Sequence, residues 1–495
     1  MALGNALMDA SSGLGLILST PFIGASLMIL VRRAPVLRDA VTMITSVSLF
    51  ILVAMLPSNS DGAVFVLAEP ISGLPISFGT EPFGKLFAFI ASGLWIVTSI
   101  YSIGYLGQKT DPNKTRYFVC FALSLGSTMG IAFAANLFTL FIFYEALTLV
   151  TYPLVAHYGT PESRNGARKY LQILLGSSIA LFVPGIIIVY LFAGTLDFQE
   201  GGVLNGKLDP AFTIPLLLMF LYGVAKSAVM PVHSWLPSAM VAPAPVSALL
   251  HAVAVVKAGV FTITKIIAFI FGWEMLASSP GANLPLYIAG FTVIAASVHA
   301  LQQDNIKSML AYSTIAQLSY VVMAASLFLP IGGLAAALHI AAHAVAKITL
   351  FFVAGAIYLK SGYTLISQLN GIGRNMPLTL LAFTIAAASM IGLPPTAGFF
   401  SKWFLLQAAF TTESYFTVGV ITISTALNAA YFLPILYRAF FKAPNEDQKS
   451  FGEAPWPVLA ALLFTAALSI TFLAYGNAIM ELEAPIFGSI FNKYD

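Results

Sequence analysis

Apolar residues run along this chain in long blocks, and the polar positions gather between them. Fourteen stretches come near 20 residues, the length a helix needs to cross about 30 Å of hydrocarbon. They begin near Leu14, Ala40, Phe83, Tyr117, Leu137, Tyr170, Phe212, Val246, Leu284, Ile306, Ile331, Leu378, Phe416 and Val458. Two stretches are overlong and interrupted, one around Met230-Pro231 and the other at Leu393-Pro394-Pro395. Proline inside a span removes a backbone hydrogen bond and frees carbonyls, which is tolerable only against water or polar side chains. The pattern predicts an all-α integral membrane fold of about fourteen transmembrane helices. One Pro-interrupted span in each half signals two inverted five-helix repeats, each with one broken helix, around a mid-membrane site. The expected layout is TM1–3 in 1–110, the first repeat (TM4–8) in 111–275, the second (TM9–13) in 276–442, and TM14 with the C-terminal tail in 443–495. The halves share no similarity visible residue by residue, so the repeat rests on the breaks.

Composition narrows the class. Of 495 residues, 59% are hydrophobic and 9% charged, against about 25% charged in a soluble domain. That excludes a soluble enzyme, and a net charge of +3 leaves no basic patch for nucleic acid. The apolar excess excludes disorder. One cysteine, Cys120, removes disulfide frameworks, iron–sulfur clusters and thiolate zinc sites. With no Lys or Arg among the first twelve residues, the opening run lacks the basic region of a signal peptide and reads as a retained helix.

Loop charges then set an orientation. The loops after odd-numbered stretches hold Arg32, Arg33, Arg38, Lys109, Lys114, Arg116, Arg164, Arg168, Lys169, Lys307, Lys360, Arg374, Arg438, Lys442 and Lys449, fifteen in all; the opposite loops hold Lys85 and Lys207. The first set is therefore expected in the cytoplasm, with both termini outside a plasma (inner) membrane. Acidic residues gather more on the other side, at Asp61, Glu69, Glu81, Asp197, Glu200 and Asp209.

Six basic residues remain. Lys226, Lys257, Lys347 and Lys402 fall well inside spans, Lys265 sits nearer a helix end, and Lys493 lies in the tail. Among the acids, Glu145 reads as the one at mid-membrane. Each buried charge costs about 2.5–3.5 kcal/mol on the lenient insertion scale, so five cost roughly 12–18 kcal/mol unless paired or hydrated. Snorkelling suits Lys265 but not helix-centre positions, and one Glu cannot neutralise four Lys. A hydrated ion or proton path explains the cost better than a single structural ion pair.

Histidine extends the set. His251, His299, His339 and His343 lie in or near spans, while His157 and His233 sit closer to helix ends. An imidazole titrates near pH 6.5, so it can take and release protons. His339, His343 and Lys347, spaced i, i+4, i+8, line one helix face. A lone membrane histidine more simply joins two helices, the reading that suits His299. Zinc would need a third ligand and finds none, so no metal is expected.

These residues resemble a known family. Lys226-Ser227-Ala228 through Pro231-Val232-His233-Ser234-Trp235-Leu236-Pro237, then Ala242-Pro243-Ala244-Pro245-Val246-Ser247-Ala248-Leu249-Leu250-His251, is similar to the signature of antiporter-like subunits. That group includes Mrp-type cation/proton antiporter subunits, the proton-pumping subunits of respiratory complex I and subunits of membrane-bound hydrogenases. Gln303 to Thr314, His343-Ala344-Val345-Ala346-Lys347 and Gly392 to Trp403 match as well, so the resemblance runs from about Tyr117 to Arg438. Tyr144 to Val155 and Phe400-Ser401-Lys402-Trp403 most resemble the D subunit of Mrp-type antiporters. Lys402 departs from the glutamate expected there in one complex I subunit, and a lateral helix like that of the largest one is not expected.

The resemblance implies an interacting Glu145–Lys226 pair, Lys257 as central relay and Lys402 as far terminus, with His251, His339, His343 and Lys347 between them. It implies a proton-translocating subunit of a monovalent cation (Na+)/H+ antiporter rather than an enzyme. Its partners would be other membrane subunits, H+, Na+ and the lipid bilayer, without nucleic acid. A pumping subunit of a complex I-like or hydrogenase complex stays the alternative. No nucleotide, flavin or cluster motif is present, so no cofactor is expected and any redox chemistry would belong to partners.

Overall fold

In a computed structural model of the chain, residues 10–57, 64–108, 111–444 and 451–488 are described. Lys109, Lys449, Lys493 and Asp61 of the charge tallies, and most of the first twelve residues, lie outside them. The chain opens with α1 (Ala10–Leu30) and α2 (Pro35–Met55), then a hairpin of β1 (Val64–Ile71) and β2 (Leu74–Gly79). Next come α3 (Pro82–Gly107), α4 (Lys114–Ala132), α5 (Leu137–Val155), α6 (Pro161–Ser177) and α7 (Val183–Ala193). The first broken segment follows as α8 (Pro210–Gly223) and the short α9 (Trp235–Ser238). After it, α10 (Ala244–Ala248) and α11 (Val255–Ile266) make one span with π-turns, and α12 (Trp273–Ala277) is a single turn. Then come α13 (Asn283–Leu301), α14 (Ile306–Ala325), the long α15 (Pro330–Ser361), α16 (Pro377–Ile391), α17 (Ala397–Thr411), α18 (Tyr415–Phe441), α19 (Trp456–Ile470) and α20 (Phe472–Phe487).

The fold is therefore almost wholly helical. Each of the fourteen apolar stretches lies on a helix, but the count by length and composition is lower. Among the described residues ten helices are long and apolar enough to cross a membrane, eleven if the bent α19–α20 pair is one span. The difference has physical causes. The helix that holds the stretch from Tyr117, α4, begins with Lys114 and Arg116 and carries several hydroxyls, so it is less apolar. The stretches from Phe212 and Leu378 are the interrupted ones, leaving α8 with 14 residues and α16 with 15.

The β-hairpin is an addition to the all-α expectation. Val64 pairs with Gly79 and Phe65 with Phe78, antiparallel. Isolated bridges extend this edge from Phe78 to Ala134, between α4 and α5. The strands satisfy backbone groups in a connection that has no helix to do so.

Two spans form the centre. The Ala244–Phe271 and Pro330–Ser361 segments are fully buried over their most apolar windows, as helices hydrophobic all round must be. At 32 residues, α15 is about 48 Å long, and it packs against α14, α16, α17, α19 and α20. By contrast α1, α2, α6–α7, α13 and α18 each bury half of their apolar window or less. Their outer faces carry Ile23, Leu30, Ile44, Phe291, Ile423 and Leu433, the side chains that lipid or another apolar helix accommodates.

Candidate functional site: a buried row of lysine and histidine

At the first break, α8 stops at Gly223, one 3-10 turn spans Ala225–Ser227, and Ala228 takes a left-handed backbone with φ 56°. Lys226 thus sits within the break rather than beside it. The freed backbone groups find side-chain partners. Trp235 Nε1 donates to the Ala225 carbonyl at 2.9 Å, and the Lys226 amide donates to the Tyr144 hydroxyl at 3.2 Å. Lys226 Nζ donates to the Tyr144 carbonyl at 2.6 Å and to Thr148 Oγ1 at 2.7 Å, and lies 3.2 Å from the centre of the Tyr144 ring.

Glu145 is the next residue along α5, whose first turn is capped by Asn136. Both of its carboxylate oxygens are buried and make no hydrogen bond. Among the described residues the ion pairs are Arg38–Asp39, His157–Asp111 and Lys265–Glu81. In this conformation Lys226 is held by the α5 backbone and Thr148, with the Glu145 carboxylate near but unbonded.

The span of α10 and α11 brings in the next groups. A π-turn over Leu249–Val253 contains His251, a local unwinding common at functional positions. His251 is fully buried, tilts against the Phe351 ring at 4.6 Å, and has no hydrogen bond on either nitrogen. Six residues on, Lys257 bonds His343 Nδ1 of α15. Gly259 lets α11 approach the break closely: a Cβ there would lie 2.3 Å from the Lys226 carbonyl carbon.

Along α15 the three expected groups do share a face. Lys347 Nζ donates to Ser313 Oγ at 2.9 Å, and the Tyr431 hydroxyl donates to the same Ser313 at 3.0 Å. The His343 and His339 rings stack with centres 6.3 Å apart. His339 contacts Ser401 Oγ through Nδ1 at 3.0 Å and Gln317 Oε1 through Nε2 at 3.1 Å.

Ser401 precedes Lys402 in α17, and that side chain closes the row at the second break. Gly392, at φ 96°, ends α16 in a conformation L side chains avoid. Lys402 Nζ reaches back to the freed α16 carbonyls of Ile391 (2.8 Å) and Met390 (3.2 Å). A cation at a helix C-terminus complements the helix dipole.

The structure thus gathers Lys226, His251, Lys257, His339, His343, Lys347 and Lys402 in the interior, each 6% exposed or less. His299 lies on an exposed face beside Tyr312, and His233 lies in the first break, both outside the row. Lys265 does not snorkel; it is buried and paired with Glu81 at 2.6 Å. Sequence reasoning missed the hydroxyl and amide partners Thr148, Ser313, Gln317 and Ser401. Among the described residues no three His, Cys, Asp or Glu side chains group as a metal site requires.

The family described as NADH:quinone oxidoreductase/Mrp antiporter, TM, matches residues 134–428, more than half of the chain and the whole row. The chain belongs to this family. NADH-quinone oxidoreductase subunit N from Desulforudis audaxviator (strain MP104C) is 32% identical, the match covering 88% of this chain and 89% of that protein. The D subunit of the Na(+)/H(+) antiporter from Alkalihalophilus pseudofirmus is 28% identical over 90% and 92%. The chain spans 54% of the length of the A subunit of that organism's Na(+)/H(+) antiporter, at 30% identity. Two solved structures share the fold at TM-score 0.83: an archaeal membrane-bound sulfane sulfur reductase complex (25% identity; 97% of this chain, 98% of that) and the Mrp complex of Dietzia sp. DQ12-45-1b (21%; 98% of both). As a member of this family, the chain is a multi-span membrane subunit of the antiporter type.

Proposed function

We propose that this subunit moves protons along the row from the Glu145–Lys226 region through Lys257, with His251, His343, His339 and Lys347, to Lys402, within a multisubunit Na+/H+ antiporter of the Mrp type. The observation that carries this reading is the run from the Lys257–His343 hydrogen bond, through the parallel His343 and His339 rings with centres 6.3 Å apart, to the His339–Ser401 hydrogen bond, which ends next to Lys402. Each member can hold and pass a proton, and the run leads from α11, which packs against the first break at Gly259, to the second break. A lysine beside a carboxylate holds its proton, and burial without the carboxylate favours the neutral amine. Closing and opening the Glu145–Lys226 gap then gates transfer, and the coupled groups titrate as a set. Moving one charge against 100 mV is worth about 2.3 kcal/mol, the same scale as such a contact.

In this reading the halves 111–275 and 276–442 are the inverted repeats, the arginine-rich loops face the cytoplasm, and both termini lie outside a plasma membrane. The second reading, a non-redox pumping subunit of an oxidoreductase complex, is favoured by the NADH-quinone oxidoreductase relative, 32% identical over nearly its full length.

Lys257→Met and Lys402→Met test the role directly. A relay predicts complexes that assemble with all subunits yet exchange at less than about a tenth of the normal rate, the loss of roughly one charge-assisted contact or more. Loss of assembly would instead assign these lysines to subunit contacts. Proteins that co-purify in mild detergent separate the two complexes: small multispanning subunits accompany an antiporter, iron–sulfur subunits an oxidoreductase.

A further inference from the structure

A second ionisable cluster lies on the hairpin side of the molecule. Glu81 precedes α3, and its carboxylate pairs with Lys265 Nζ at 2.6 Å; the side chains are 20% and 1% exposed. Lys265 Nζ also donates to the Ala134 carbonyl at 2.8 Å, between α4 and α5. Glu483, on α20, is fully buried, and neither carboxylate oxygen has a hydrogen bond.

Aromatic packing holds the three elements together. Phe83, two residues after Glu81, lies 4.6 Å from Phe261, one turn before Lys265 on α11. It also lies 5.6 Å from Phe487, one turn after Glu483 on α20. Residues i and i+4 share a helix face, so both carboxyl-bearing elements meet α11 around one phenylalanine.

With all three groups ionised the cluster would carry a net negative charge, with Lys265 and Glu483 buried and Glu81 only partly exposed. An uncompensated buried charge is strongly unfavourable, and a buried carboxyl in a cluster with a second carboxylate relieves it by taking up a proton. A metal ion fits less well, because the Lys265 ammonium already neutralises one carboxylate and Glu483 has no further oxygen ligands at hydrogen-bonding distance. Other charges on the elements packed against α20 are engaged elsewhere. Lys85 of α3 donates to the Leu56 carbonyl, Lys402 of α17 turns to α16, and His339, His343 and Lys347 of α15 bond within the row.

We infer that Glu81 and Glu483, together with Lys265, form a second proton-binding site, separate from the lysine–histidine row, that holds one exchangeable proton. Lys265 lies eight residues beyond Lys257 on α11, about 12 Å along the axis. Phe261 stands between them on the same face, a dry spacer between the two sites. Binding of the proton here does not depend on the transport reading.

Infrared difference spectroscopy of the purified complex, stepped in pH in H2O and D2O, tests it. The wild type should show a protonated-carboxyl band that shifts in D2O and disappears as pH rises. Glu483→Gln removes the band. Glu81→Gln removes it too, since Lys265 then has Glu483 as its one carboxylate. Lys257→Met leaves it in place. If Glu483→Gln fails to accumulate, Glu81→Gln, at a partly exposed helix end, carries the test. A band unchanged in Glu81→Gln overturns the joint proton site. Its disappearance on adding Na+ at fixed pH would assign a cation site instead, and its loss in Lys257→Met would make the cluster part of the row.

Discussion

Lysine has three donors and no acceptor, and the buried lysines differ in how many are used. Lys226 and Lys402 each find two close oxygen acceptors, whereas Lys257 has His343 and Lys347 has Ser313. Hydrogen bonds to charged groups are worth about 1.5–3 kcal/mol, so the singly held ammoniums are where a proton leaves most readily. Ser313→Ala removes the acceptor of Lys347, while the Tyr431 hydroxyl keeps Asn428 Oδ1, and a loss near the low end of that range slows exchange about tenfold. Vesicle exchange normalised to subunit content checks this; a wild-type rate would remove Ser313 from the path. Among single residues, the titratable ones are legible in the sequence because charge is so scarce in the spans. Their hydroxyl partners are not, since most Ser and Thr in these helices bond their own preceding turn, as Thr264 does to Val260 and Ser297 to Val293. Nothing local marks Ser313 or Ser401 as different.

Elements set the distances. Proline announces both breaks, but Pro231 does not reveal that the unwinding starts at Val224 and takes in Lys226, because the 3-10 turn is stabilised by Tyr144 and Trp235 from outside the local sequence. The π-turn at His251 is equally hidden: Leu249–Val253 has an ordinary helical composition. What fixes α11 against the break is Gly259. A methyl there meets backbone of Lys226 and Ser227 at 2.3 Å, and backbone yields poorly. Gly259→Ala should therefore destabilise by about 1–3 kcal/mol, the cost of overpacking, and displace Lys226 from Tyr144. Thermal unfolding of the detergent-solubilised protein measures this, and an unchanged midpoint would show that the two segments can move apart.

Across the molecule, hydropathy predicts where helices run and which central spans carry charge, because a bilayer admits few backbone solutions. The last helix escapes it. The stretch Met480-Glu481-Leu482-Glu483 reads as a polar tail, yet the chain bends by 70° after α19 and returns Glu483 to the interior. Only tertiary packing decides that. The proposed orientation rests on loop charge and is testable with single cysteines in a Cys120→Ser background. In right-side-out vesicles an impermeant maleimide should label Ser72→Cys in the hairpin turn and spare Glu162→Cys at the start of α6. The reverse labelling would invert the topology. Gating of proton movement by the Glu145–Lys226 region is decided by cation-driven proton exchange in vesicles carrying Glu145→Ala or Lys226→Ala. Each variant should abolish exchange with the protein still present in the membrane; near-normal exchange in both would contradict the gate.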